Sequence, residues 1–178
     1  MNDNRQKQPL RILSVGPQPR LDGKIDSYSI CLSHLLDYIR TGDAANLHGV
    51  DTGRIRGHGL LGAYRLVRTM LHVLVSLPRC DVITLHCSRY AISWFGLFHL
   101  IIARLSRTPL IVQVFAGFDY RQTGPIRGRV AHFVVRRSDL YLAETKYLVR
   151  LAQERGVQHV KWFPVWVGQP PGLSRHED

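Results

Sequence analysis

The chain has 178 residues, of which 45% are hydrophobic, so it can bury the core of one domain and is too apolar to be largely disordered. Lysine and arginine number 24 against 13 aspartate and glutamate residues, which gives a net charge of +11. This excess predicts an anionic partner (nucleic acid, an acidic membrane or a phosphorylated small molecule), or else a solvated basic surface with no specific ligand.

The cysteines and the first residues indicate a reducing compartment rather than secretion. Cys31 and Cys87 lie among apolar residues, which is typical of buried free thiols. The opening residues, MNDNRQKQP, contain no apolar signal core. The most apolar segment, 91–103, falls short of the roughly 18 residues that a spanning helix needs. We therefore expect a cytoplasmic protein without a transmembrane helix.

The first half of the chain predicts two strands and two helices. An apolar strand at 10–15 stops at Gly16-Pro17 and leads through a loop to a helix that begins at Asp26 or Ser27 and ends near Ile39. A weaker strand follows at 46–50, and then a long basic helix at 60–77. This helix carries an apolar stripe, formed by Leu61, Tyr64, Val67, Leu71 and Leu74.

The second half continues the same alternation. Strands are predicted at 82–86, 110–115, 140–143 and 159–163, and helices at 91–105, 125–137 and 145–155. The last of these helices begins at a capping Thr145 and ends at Gly156.

Alternating strands and helices predict the fold class. The strands are apolar runs, as expected when helices cover both faces of a parallel sheet. We therefore predict a doubly wound, Rossmann-like α/β domain over residues 10–167. A polar arm precedes it at 1–9, and a tail or truncated linker follows at 168–178.

Polar residues at the ends of the predicted strands mark a candidate binding edge, because the carboxyl ends of parallel strands lie together. The candidate substrate-binding residues are Gly16, Gly23, His86, Gly117 and Asp119. His86 could accept a proton from a substrate hydroxyl, or could be a structural histidine bonded to a loop carbonyl. Asp119 could hold a substrate hydroxyl or cap a turn.

Several established motifs are missing from the sequence. The first loop lacks G-x-G-x-x-G, and no glycine run is followed by the Lys-Ser/Thr pair of a P-loop. The histidines show no metal-ligand spacing, so we expect no metal and no cofactor, and no catalytic residue is assigned. Aromatic and basic residues are not interleaved as in stacking platforms, which argues against a nucleic-acid binder.

Four segments, taken in order, resemble the N-terminal, acceptor-side domain of a family 4 glycosyltransferase of the GT-B class. They are RILSVGPQPRLDGKIDSYSICLSHLL, DVITLHCS, PLIVQVFAGFD and SDLYLAETKYLVRLAQERGV with QHVKWFPVWV. The resemblance covers about 10–167 and implies that the domain is one half of a GT-B fold. In this resemblance Gly23 matches the loop glycine near the donor phosphate, His86 the strand-end histidine and Gly117 the second residue of the His-Gly turn.

The sequence departs from the family pattern at three positions. Asp22 stands in place of the first glycine of the Gly-Gly pair, Phe115 in place of the turn histidine and Val165 in place of the hinge asparagine. The residues after Pro164 are too few for a second domain. A donor-binding half is therefore expected in a separate chain, unless this chain is a truncated product or a single domain of a longer one.

The resemblance implies a retaining transfer of sugar from a nucleotide-sugar to a polysaccharide or lipid-linked acceptor. The basic helices (Arg65, Arg68, Arg127, Arg129, Arg136 and Arg137) suggest in addition an anionic membrane surface at the inner membrane face. The alternative is a non-catalytic or degenerate module that binds a sugar, a membrane or a partner chain.

Overall fold

The computed structural model of the chain describes residues 9–17, 45–52, 60–115 and 124–164. Six strands lie in these ranges: β1 (Leu10–Gly16), β2 (Ala45–Asp51), β3 (Val82–Ser88), β4 (Leu110–Phe115), β5 (Leu140–Ala143) and β6 (Val160–Trp162). Four α-helices lie between them: α1 (Leu60–Ser76), α2 (Leu97–Ser106), α3 (Pro125–Arg137) and α4 (Lys146–Glu154). The predicted helix at 26–39, residues 1–8 of the predicted arm at 1–9, and the tail at 168–178 lie outside the described residues.

The six strands form one parallel sheet in the order β2-β1-β3-β4-β5-β6. This arrangement confirms the predicted doubly wound, Rossmann-like α/β fold. β1 lies between β2 and β3, so the connection after β1 runs in the opposite direction to the connection after β2. Ligands of open α/β sheets bind at such a reversal, beyond the carboxyl ends of the strands that flank it.

The centre of one face of the sheet is apolar and buried. Leu13, Val15, Ile83, Leu85 and Val112 alternate along β1, β3 and β4 and are almost completely inaccessible to solvent. The connections that contain α1, α2, α3 and α4 all run in the same direction along the sheet. Right-handed crossovers therefore place these four helices on the same face, where they cover this core.

Local sequence determines how the helices begin and end. The Thr145 hydroxyl accepts a hydrogen bond from the Leu148 amide at 3.1 Å, which caps α4 as predicted. Gly156 follows α4 with φ of +80°, a conformation that side chains other than glycine rarely adopt. Gly124 has φ of +79° and leads into Pro125 in the first turn of α3, where a missing amide hydrogen costs nothing.

The predicted helix at 91–105 begins with a π-helical turn at Ile92–Gly96 that continues into α2. This turn packs closely against α3. A Cβ atom on Gly96 would lie 2.9 Å from Cγ1 of Val134 and 3.0 Å from Cγ1 of Ile92. Gly96 therefore allows the two helices to approach each other.

Helix α1 departs from the usual arrangement, in which the apolar stripe of a surface helix faces the core. All five residues of the predicted stripe are exposed, with Leu71 56% accessible and Tyr64 62% accessible. The residues that α1 buries are Gly62 and Val73. The segment Leu60–Arg79 is also long and apolar enough to cross a membrane, by length and composition alone, which the sequence analysis did not anticipate.

Candidate functional site

The carboxyl ends of β1 and β3 bring two predicted site residues to neighbouring positions. Val15 and Leu85 are cross-strand partners, and the next residue on each strand is Gly16 and His86. Gly16 is buried, pairs with Asp51 of β2 and accepts a hydrogen bond from the Thr52 amide at 3.0 Å. These residues flank the reversal in strand order. The other predicted site residues, Gly23, Gly117 and Asp119, lie outside the described residues.

His86 is buried, with 3% of its surface exposed, and both of its ring nitrogens have partners. Nδ1 lies 2.9 Å from Oε1 of Gln113, an atom that can only accept, so Nδ1 carries the proton. Nε2 lies 3.2 Å from Oγ1 of Thr84 and accepts from that hydroxyl. Burial lowers the pKa of His86 to about 4, although the bond to Gln113 opposes the shift.

This geometry favours the structural interpretation of His86 over the proton-accepting one. The ring is neutral at physiological pH, and its acceptor nitrogen is already occupied by Thr84. The sequence analysis anticipated a bond to a loop carbonyl, whereas the partners are side chains on the same and the neighbouring strand. His86 therefore fixes the end of β3 against β4.

Phe115 packs against the ring of His86. It is the last residue of β4, is 2% exposed, and its ring stacks on that of His86 with the centroids 6.1 Å apart. In the family resemblance, this position carries a histidine. The substitution therefore replaces a polar group with an aromatic ring packed against the buried imidazole.

A row of polar side chains crosses one face of the sheet just before its carboxyl edge. Ser14 pairs with Thr84 in register, and His86 pairs with Gln113, so alternation along the strands puts all four on the same face. The hydroxyl of Ser14 is buried and has no hydrogen-bond partner among the residues that the structure describes. Hydrogen bonds link the other three, so the polar row is a connected network with one open position.

The remaining thiols and histidines in the described ranges are not arranged for nucleophilic or metal chemistry. Cys87 is buried, as predicted, and burial raises the pKa of its thiol to about 12. His99 is buried in α2, and burial lowers its pKa to about 4. Residues 9–17, 45–52, 60–115 and 124–164 contain no cluster of three or more His, Cys, Asp or Glu side chains able to hold a metal ion.

The ends of β5 and β6 present a polar and aromatic surface. Trp162 is half exposed, and its indole N–H donates to the Glu144 carbonyl at 3.3 Å. The Lys146 ammonium lies 5.0 Å from the centre of the Trp162 ring. The Trp162 ring is therefore held in place by neighbouring groups while half of its surface stays exposed. Trp166 lies outside the described residues.

Gln113 and Ser14 were missed by the sequence analysis, although the sequence holds a signal for them. In VITLHCS, every second residue from Thr84 is polar, and Gln113 interrupts the apolar run of LIVQVF. Alternation of this kind indicates a sheet face with polar side chains. Because both strands were interpreted as uniformly apolar, this polar face was not predicted.

The fold and this edge define a class: an α/β domain whose candidate site lies at the carboxyl ends of parallel strands. The model of one family, described as "Glycosyl transferase 4-like domain", matches residues 11–168. The chain belongs to this glycosyltransferase family, as its resemblance to family 4 predicted. Neither the curated proteins nor the solved structures gave a match.

Proposed function

We propose that this chain is the acceptor-side half of a retaining glycosyltransferase that uses a nucleotide-sugar donor. The family match over residues 11–168 carries the proposal, because it extends from β1 to beyond β6 and so includes the whole described sheet. The acceptor is a polysaccharide or a lipid-linked saccharide. The site of action is cytoplasmic, and the donor is a nucleotide-sugar without a metal or cofactor.

In this proposal the carboxyl ends of β1 and β3 form one edge of the substrate-binding cleft. Gly16 lies at the end of β1, and by the family resemblance Gly23 is the loop glycine near the donor phosphate and sugar. The neutral ring of His86 holds β3 and β4 in place and leaves proton transfer to other groups. Gly117, which by the resemblance is the second residue of the His-Gly turn, and Asp119 are the proposed acceptor-binding residues. Most of the donor-binding surface comes from a second, donor-side domain.

The transfer of radiolabelled sugar tests this proposal. The purified chain is incubated with a panel of nucleotide-sugars and with saccharide and lipid-linked acceptors, alone and after addition of a donor-side domain from the same family. We expect incorporation only when both halves are present. Incorporation by the chain alone would contradict the need for a second half.

A second candidate function is a non-catalytic module that binds a sugar or a partner chain. Two observations favour it: His86 is buried with both nitrogens occupied, and Phe115 packs where the family resemblance places a polar residue. A module of this kind would bind saccharide without supporting transfer under any combination of domains. Transfer in the two-half assay would exclude it.

A further inference from the structure

The outer face of α1 is an apolar surface exposed to solvent. Six large side chains share it, each three or four residues from another member of the set: Leu60, Tyr64, Val67, Leu71, Leu74 and Val75. Their exposed fractions range from 41% for Leu74 to 91% for Leu60. We name these six residues the α1 outer face.

The fold does not explain this face. α1 contacts the sheet through its opposite side, where Val73 is fully buried and His72 lies 3.4 Å from His48 of β2, measured between their Nε2 atoms. A helix packed on a sheet in water normally turns polar residues outward. A contiguous exposed apolar surface of this kind marks a site of interaction.

The charge around α1 identifies the kind of partner. Residues 60–80, which form α1 and the turn after it, contain three arginines and no aspartate or glutamate. Arg68 is exposed and follows Tyr64 by one helical turn, so its guanidinium borders the α1 outer face. Arg79 is exposed just beyond the end of the helix. An apolar face with Arg68 at its border and Arg79 near its end is complementary to anionic lipid, whose headgroups attract the arginines while its acyl chains receive the apolar side chains.

We propose that the α1 outer face docks the domain onto the surface of an anionic membrane. α1 lies along the membrane plane and does not cross it, because the helix connects β2 to β3 within one sheet and stays packed on that sheet. This proposal goes beyond the proposed function, since the α1 outer face contains none of the candidate site residues.

Vesicle flotation tests the docking surface. The full chain is mixed with phosphatidylcholine vesicles that either contain or lack phosphatidylglycerol, and the bound fraction is measured. We expect binding to the anionic vesicles that weakens at about 0.5 M salt, where the Debye length is only a few ångströms. Leu71→Ser with Val75→Ser should lower the partition coefficient about a hundredfold, because two buried aliphatic side chains are lost.

The control variant replaces two comparably exposed aliphatic residues on a different helix, α2. Ile101 and Leu105 are also exposed and one turn apart on α2, so Ile101→Ser with Leu105→Ser should leave the partition within about twofold. Arg68→Gln should lower it about fivefold, the effect of one cation near an anionic surface. Circular dichroism of each variant verifies that the domain remains folded.

Three results would overturn the proposal. The wild-type chain could fail to float with anionic vesicles, or the α2 pair could reduce binding as much as the α1 pair. The α1 pair could also leave flotation unchanged while converting a dimer to a monomer in analytical ultracentrifugation. That last result would assign the α1 outer face to a second copy of the chain.

Discussion

His86 and Gln113 are cross-strand partners whose side chains join the two central strands of the sheet through a bond of 2.9 Å between Nδ1 and Oε1. Gln113→Met would remove the acceptor and leave the buried N–H of His86 without a partner. We expect the free energy of unfolding to fall by about 1–3 kcal/mol, the cost of an unsatisfied buried donor. Urea denaturation measures the change, and the exposed Gln153→Met serves as the matched control.

A second prediction concerns pH. Burial lowers the pKa of both His86 and His99 to about 4, whereas an unfolded histidine titrates near 6.5. Between these two values the unfolded chain binds more protons than the folded one, so stability falls as the pH decreases from 6.5 towards 4. Each histidine contributes a slope of about 1.4 kcal/mol per pH unit in this window.

Denaturant titrations across pH 4 to 7 test this slope. His99→Phe keeps an aromatic ring between Phe95 and Phe98 but removes one of the two proton-binding sites. The variant should therefore lose about half of the slope that the two buried histidines produce. An unchanged slope would mean that His99 titrates alike in the folded and unfolded chain, which would contradict its lowered pKa.

The contact between Gly96 and Val134 predicts an effect of crowding. Gly96→Ala would place a Cβ atom 2.9 Å from Cγ1 of Val134, so the π-helical turn and α3 would have to separate. We expect a loss of about 1–3 kcal/mol in the free energy of unfolding. Val134→Ala removes the crowded methyl group, so Gly96→Ala should cost less free energy of unfolding in the Val134→Ala variant than in the wild type. A strictly additive double mutant would contradict a direct steric contact.

Thr145 provides a test of the cap on α4. Thr145→Ala removes the hydroxyl that accepts from the Leu148 amide, and we expect a loss of about 1 kcal/mol in the free energy of unfolding. Thr145→Ser retains the oxygen and should stay close to the wild type. Equal losses for the two variants would mean that the methyl group, rather than the hydrogen bond, is responsible.

Much of the fold could be predicted from sequence because strands such as LIVQVF and breaks such as Pro78 to Asp81 are local signals. The capping Thr145 and the terminating Gly156 are equally local, and the structure confirms both. Strand β2 was predicted shorter than it is, because ANLHGVD has few apolar residues and depends on pairing with β1.

The site was harder to predict because its contacts join distant parts of the chain. Gln113 reaches His86 only once β3 and β4 have paired, and 27 residues separate them in sequence. The stripe on α1 is a different case. Helical periodicity predicted that these residues share one face of the helix, but it could not predict that this face points to solvent. Which side of a helix meets the sheet is decided by packing, here around Gly62 and Val73.

Saturation-transfer NMR on the purified chain tests most directly whether it forms the acceptor side of a glycosyltransferase. The ligands are oligosaccharides, lipid-linked saccharides in detergent and a panel of nucleotide-sugars, each measured separately. The proposed function predicts saturation of acceptor sugar protons, with much weaker signals from the nucleotide-sugars. Absence of saturation for every saccharide and every nucleotide-sugar would contradict it.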